Sequence, residues 1–202
     1  MKTTLSFLGM TIILISYAII GYPRNPGEVY KEKTVAVLPP TVFITLPGNK
    51  TDNTLTVQQE TEALNLLHEM FNWMVKRKEQ GKFSVNIQDI EITQSKLKEA
   101  GIPEGKQYTH AELCRLLGVD EIIISRYDLK RVMTWNQAVA LGASTGVFMP
   151  NTRAKVSISA YNLQENNMVW NYNRKISCLC TDDKFANQVM RPVSKKMPYY
   201  TE

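Results

Sequence analysis

Two histidines, three cysteines and a few neighbouring carboxylates are the residues of this chain whose types could do chemistry. Nucleophilic catalysis needs a serine, cysteine or threonine with a base beside it. His68 flanks the apolar stripe of a helical stretch, where packing at the boundary accounts for it. His110 follows a helix cap at the first helical position and is expected to be exposed. Asp89 with Glu91, Asp120 with Glu121 and Asp182 with Asp183 could supply the two carboxylates of glycoside hydrolysis, but all fall at element ends, where caps and turns use them. Cys178-Leu-Cys180 puts two thiols on one strand face without further cysteine or nearby histidine, which is an incomplete metal site, so a core-facing pair is expected. Cys114 lies on the apolar side of its helix, and the odd count implies no disulfide framework. No phosphate-binding glycine loop follows a strand, and no basic stripe interleaved with aromatics points to nucleic acid. The chain is therefore read as having no catalytic residue, no cofactor and no metal.

The elements that must position these residues are organised around Thr109 to Arg131. Thr109 and Glu112 form a capping box, Ala111, Cys114 and Leu117 recur at helical spacing, and Gly118 supplies a left-handed stop. The following Glu121-Ile-Ile-Ile-Ser-Arg-Tyr is a strand that needs cover on both faces. Ahead of it, Thr34-Val-Ala-Val-Leu is a strand stopped by Pro39 and Pro40, with Thr41 to Leu46 prolonging the extended course. Pro47 to Leu55 is a polar loop holding the formal glycosylation acceptor Asn49-Lys-Thr51.

Thr56 to Lys78 is a long amphipathic helix with Ala63, Leu64, Leu67, Met70, Phe71 and Met74 inward and Glu62 among the outward residues. Phe83 to Ile87 is a second strand, and Ile90 to Ala100 a helix closed by Gly101 and Pro103. Arg153 to Leu163 and Met168 to Cys180 form a long β-hairpin turning at Glu165-Asn-Asn167. Trp170, Tyr172, Ile176, Cys178 and Cys180 share one face of its return strand. A last helix begins with Asp182 or Asp183 as cap and aligns Phe185, Val189, Val193 and Met197. Pro192 starts its second segment, and Met197-Pro-Tyr-Tyr ends it. The expected fold is one α/β domain over residues 33–199: a mixed sheet of about four to five strands with a long hairpin, covered by three to four helices.

At 202 residues and 44% hydrophobic composition the chain can bury one ordinary core. Its formal charge of +5 favours anionic surfaces such as phospholipid headgroups, wall polymers or nucleic acid, yet the cations are spread along the chain, which reads as solvation. Residues 1–21 read as a secretory signal, with Lys2 ahead of an apolar run from Leu5 to Ile20. Cleavage after Ala18 or Gly21 is expected, with a retained inner-membrane anchor as the alternative. Residues 22–32, with two prolines and mixed charge, read as a tether. Tyr22 stands where a lipoprotein signal places its cysteine, so export to the periplasm or envelope without a lipid is expected.

The order of signal, VAVLPP strand, long helix, AELCRLLGVDEIIISRYDL unit, KVSISAYNLQENNMVWNY hairpin and final helix ending KKMPY resembles a small bacterial envelope α/β domain. That domain is shared by the lipoprotein activator of penicillin-binding proteins, the amino-terminal domain of TolB and the curli secretion lipoprotein. The resemblance implies a noncatalytic role as activator, scaffold or secretion accessory, acting through an envelope protein or self-association, with contact to a membrane or wall surface. It departs from the group in the missing lipobox cysteine and in Glu165-Asn-Asn167 where an Asp-x-x-x-Gly turn is usual. An envelope hydrolase acting on a wall or lipid substrate is the alternative.

One stretch, Val132 to Asn151, fits neither structural period and reads as a long flexible excursion between strands, either a docking loop or an irregular edge folded back on its own domain. Segments of this length in compact domains commonly bind something. It is too apolar for a solvated linker and lacks the regular alternation of a lipid-facing strand pair. The residues expected to contact a partner are Trp135, Val147, Phe148 and Met149, with Trp170 and Tyr172 on the hairpin as a docking row if that strand lies at the sheet edge or as core if it does not.

Overall fold

A computed structural model describes residues 33–47, 53–102, 108–164 and 167–201. The expected signal, the tether, the Asn49-Lys-Thr51 acceptor, Pro103 and the hairpin-tip residues Glu165 and Asn166 lie outside the described residues. In chain order the elements are β1 (Thr34–Val37), β2 (Thr41–Thr45), α1 (Asn53–Glu79), β3 (Asn86–Ile87), α2 (Ile90–Glu99) and α3 (His110–Leu117). There follow β4 (Glu121–Arg131), α4 (Trp135–Thr145), β5 (Thr152–Asn162), β6 (Met168–Cys178) and α5 (Asp182–Val193).

The six strands form one mixed sheet in the order β3-β1-β4-β5-β6, with β2 also paired to β4, so the expected α/β fold holds with one strand more than the expected range. The extra strand comes from the proline pair. Pro39 and Pro40 cannot donate to a ladder, so the extended course breaks there and resumes as a second strand on the same edge of β4. β1 lies parallel to Glu121–Ile123, and β2 parallel to Arg126–Lys130. β4 thus holds β1 and β2 on one side and the whole antiparallel length of β5 on the other.

Side chains alternate along β4, and the start of the strand meets a core on each face. Ile123, Tyr127 and Leu129 enter the main core with Leu66, Leu67, Met70 and Met74 of α1 and Phe185, Val189 and Val193 of α5. Ile122 enters a smaller core on the opposite face with Leu97 of α2 and Cys114 and Leu117 of α3. Each fully buried side chain of this size contributes about 1.5–3 kcal/mol. The α3 capping box and the left-handed Gly118, φ 69°, are present as expected.

Several expectations shift. On α1 the inward stripe runs through Leu66 rather than Leu64, which is exposed, because Ala63, Leu66, Leu67, Met70 and Met74 keep helical phase and Leu64 does not. Glu62 lies inward too, buried against Arg131 at 3.8 Å. The second strand is only Asn86–Ile87, since Phe83 forms an antiparallel bridge with Tyr200 instead. Thr181 occupies the N-cap of α5, placing Asp182 and Asp183 in its first turn, and Pro192 falls inside the helix. Cys178 and Cys180 are joined in a disulfide, against the expectation of none. Two residues apart in one segment, they tie no distant elements together.

Among the described residues, Ser125 Oγ and Tyr127 Oη are buried on the main-core face of β4 and find no hydrogen-bond partner. A buried hydroxyl left unsatisfied costs free energy that its removal returns. Tyr127→Phe is therefore expected to leave stability unchanged or raise it by up to about 1 kcal/mol, read from the urea midpoint. A loss of similar size would show that the phenol makes a bond after all.

Candidate docking surface

The excursion between β4 and β5 is not irregular. Thr134 caps α4, its hydroxyl accepting from the Gln137 amide while the Gln137 side chain accepts from the Thr134 amide, and Gly146 ends the helix in the left-handed region at φ 73°. This corrects the expectation of a flexible segment without period. The physical reason is that α4 buries chiefly Ala138 and Gly142, so no apolar stripe marks its inner face.

The segment leaves and rejoins the sheet at one point. Arg131 pairs with Thr152 at the end of the β4–β5 ladder, and the Val132 amide donates to the Asn151 carbonyl at 2.8 Å. Asn151, itself buried, fastens this base to the segment after β6. Its side-chain amide donates to the Cys180 carbonyl at 3.1 Å, and its side-chain oxygen accepts from the Cys180 amide at 3.0 Å. Beside the base, Leu46, Pro47, Met133 and Trp135 line a cleft of about 360 Å³.

Beyond α4 the chain turns back so that the Phe148 ring lies on Gly142, where a Cβ would collide with it. The outer side of that ring remains open: Phe148 is 61% exposed, Val147 59% and Met149 44%, with Trp135 and Leu141 each 37% exposed. Five large apolar residues therefore stand in solvent on one insertion. Apolar residues scattered singly over a surface are ordinary, whereas these five belong to one segment of the chain.

Trp170 and Tyr172 sit elsewhere. They stack with ring centroids 6.1 Å apart on the main-core face of β6, where Tyr172 is buried and Trp170 half-buried. Their partners across the ladder are Ala160 and Ile158, about 26 and about 20 Å along β5 from the base of the insertion at Thr152. The fold does not bring the two groups of expected contact residues together.

The residues weighed for chemistry are placed in structural roles. Asp89 accepts from the Glu91 amide at 2.7 Å as the cap of α2, and Asp120 accepts from the Thr34 amide at 2.8 Å. Glu121 is buried, accepting from Lys33 and from the Tyr199 hydroxyl. His68 is exposed rather than packed at a boundary. His110 is half-buried rather than exposed, stacked on Tyr161 with ring centroids 3.6 Å apart, and burial lowers its pKa. Neither histidine forms an ion pair among the described residues. Burial pushes the Cys114 thiol up to about 11, assisted by the Glu121 and Asp120 carboxylates, which keeps it protonated and unreactive at neutral pH. Among the described residues no three His, Cys, Asp or Glu side chains gather as a metal would require.

No family model matches the chain, and no curated protein matches it. Among solved structures it is similar to the lipoprotein GNA1162 from Neisseria meningitidis, at 9% identity over 81% of this chain and 95% of that one, with a TM-score of 0.47. The protein CT253 from Chlamydia trachomatis is similar at 12% identity over 84% of this chain and 97% of that one, with a TM-score of 0.45. The C-terminal domain of LpoB from Salmonella enterica is similar at 10% identity over 74% of this chain and 85% of that one, with a TM-score of 0.38.

Two features escaped a reading of the residues alone. The α4 helix carries the same kind of end signal as α3, Thr134-x-x-Gln137 beside Thr109-x-x-Glu112, and that signal could have found it. The other is the distribution of cations over the sheet, for which the linear sequence holds no signal at all.

Proposed function

We propose that this chain is a noncatalytic exported envelope protein that works by binding another envelope protein or a second copy of itself. The observation that carries the reading is the insertion between β4 and β5: the sheet closes beneath it without its help, and it holds Trp135, Val147, Phe148 and Met149 out in solvent. Burial of such a group against a partner is favourable, whereas leaving it in water is a liability for solubility. The signal-like residues 1–21 and the tether of residues 22–32 support export, and Trp170 with Tyr172 belongs to the support of the sheet in this reading.

The test is a triple variant, Val147→Ser, Phe148→Ser and Met149→Ser, in the full chain. Wild type is expected to give either a concentration-dependent assembly in light scattering or a defined species on affinity capture from envelope extract, and the variant to lose it with stability unchanged within about 0.5 kcal/mol. Equal assembly and capture by both proteins would refute the docking role. Turnover of a wall or lipid substrate by the purified chain alone would favour the hydrolase alternative instead.

A further inference from the structure

α2 and α3 cover only part of their side of the sheet. Where β4 passes beyond Ile124, its even-numbered residues face no described element, and the neighbouring strands bring their own residues to the same surface. Register fixes which ones. Lys130 lies opposite Arg153, Asp128 opposite Lys155, and Lys155 in turn opposite Lys175, with Arg126 on the next row. Five cations thus share this face with one carboxylate, a surplus of four positive charges in a chain whose formal total is +5.

This arrangement costs stability. Side chains directly opposite across antiparallel strands stand about 5 Å apart, and like charges there repel. Two such pairs occur here, Lys130 with Arg153 and Lys155 with Lys175. The single acid does not relieve them, because Asp128 is held by Arg126 at 3.1 Å, and Lys130, Arg153, Lys155 and Lys175 form no ion pair among the described residues. A folded sheet gains nothing from stacking these charges, so an anion arriving from outside is the natural counterpart.

The rest of the face narrows the class of anion. A cleft of about 690 Å³ runs over it, lined by Phe43, Arg126, Lys130, Arg153, Lys155 and Lys175. Phe43 is the one exposed large hydrophobic residue on these strand positions, and the Arg126 guanidinium lies over its ring at 4.3 Å, so no free apolar wedge is available to enter a bilayer or to stack between bases. Hydroxyl and amide side chains interleave with the cations instead, Ser157 opposite Asn173 and Ser177 opposite Arg153. Such groups pair with sugar hydroxyls, and the cations with carboxylates. We infer that the uncovered half of the sheet binds an acidic polysaccharide, a sugar chain carrying carboxylates along its length, which lies in the cleft across β4, β5 and β6. This surface is separate from the insertion, and the inference stands whether or not the docking role does.

The test uses the full chain and measures binding by fluorescence anisotropy to labelled polygalacturonate oligomers, neutral dextran of similar length and single-stranded DNA, with co-sedimentation on phosphatidylglycerol–phosphatidylcholine vesicles. The acidic oligomers are expected to bind at low salt and weaken steeply as salt rises, and dextran to bind far less. Lys155→Gln with Lys175→Gln should weaken the acidic oligomers about tenfold, while Lys98→Gln, an exposed residue on α2, changes nothing. Asn173→Ala with Ser177→Ala, which leaves the charge intact, should weaken the oligomers about threefold and leave DNA unaffected. Failure to bind the oligomers, tighter binding of DNA or vesicles at equal charge concentration, or an unchanged affinity in the Asn173/Ser177 variant would each overturn the assignment.

Discussion

Glu121→Leu is expected to destabilise the fold by about 3 kcal/mol, a large share of the 5–15 kcal/mol that a domain of this kind commands. Glu121 opens β4 with its side chain fully buried. One oxygen accepts from Lys33 Nζ at 2.8 Å and the other from the Tyr199 hydroxyl at 2.8 Å. The carboxylate therefore ties the start of the described chain, the central strand and the last segment in one network. Leucine withdraws the acceptor from both donors, and removing one partner of a buried pair costs about 3–5 kcal/mol. The lower figure applies because the Lys33 side chain is 32% exposed and water meets part of its demand. At this chain length the melting temperature should fall by about 6–12 °C. Glu121→Gln keeps an acceptor for Tyr199 and removes only the charge, so its loss should be about half as large. Scanning calorimetry of the two variants decides the matter: an unshifted leucine variant would show that the network is ornamental.

Replacing Trp135–Met149 with a short Gly-Ser linker is expected to abolish partner recovery or self-assembly while the melting temperature stays within about 2 °C of wild type. The fold should survive because the β4–β5 ladder closes at Arg131 and Thr152 and is sealed by the Val132 amide on Asn151, all of which the replacement retains. Asn151 keeps both bonds to Cys180. What leaves the protein is a helix that buries chiefly Ala138 and Gly142, with little apolar area at stake. A shorter loop also costs less to close. A collapse of the melting temperature would mean that the insertion belongs to the core, and retention of the partner in a stable variant would place docking elsewhere.

The contrast between α3 and α4 shows what could be read directly. Both begin with a threonine and an acid or amide three residues on, and both end on a left-handed glycine. α3 was legible because Ala111, Cys114 and Leu117 also recur toward a core. In α4 only Ala138 and Gly142 are buried while Trp135 and Leu141 stay partly in solvent, and a period that reports burial is faint where so little is buried. The same limit explains Leu64 and Leu66, two leucines on either side of Asn65 that only the helix phase against the sheet could tell apart. It explains Trp170 and Tyr172 as well, since alternation puts both on one face of β6 without saying which face the helices cover.

The sequence by itself determined the capping box and left-handed stop of α3, the strand that starts at Glu121, the hairpin that follows, the long helix and a final helix with Phe185, Val189 and Val193 on its inner side. These rest on local steric and hydrogen-bonding rules and on the helical and strand periods. Only the tertiary structure decided where the charge goes. Arg126, Lys130, Arg153, Lys155 and Lys175 look dispersed along the chain, and pairing in register makes them neighbours on one uncovered face. Electrostatic potential depends on distance in space, which a linear order does not contain until β4, β5 and β6 are laid side by side.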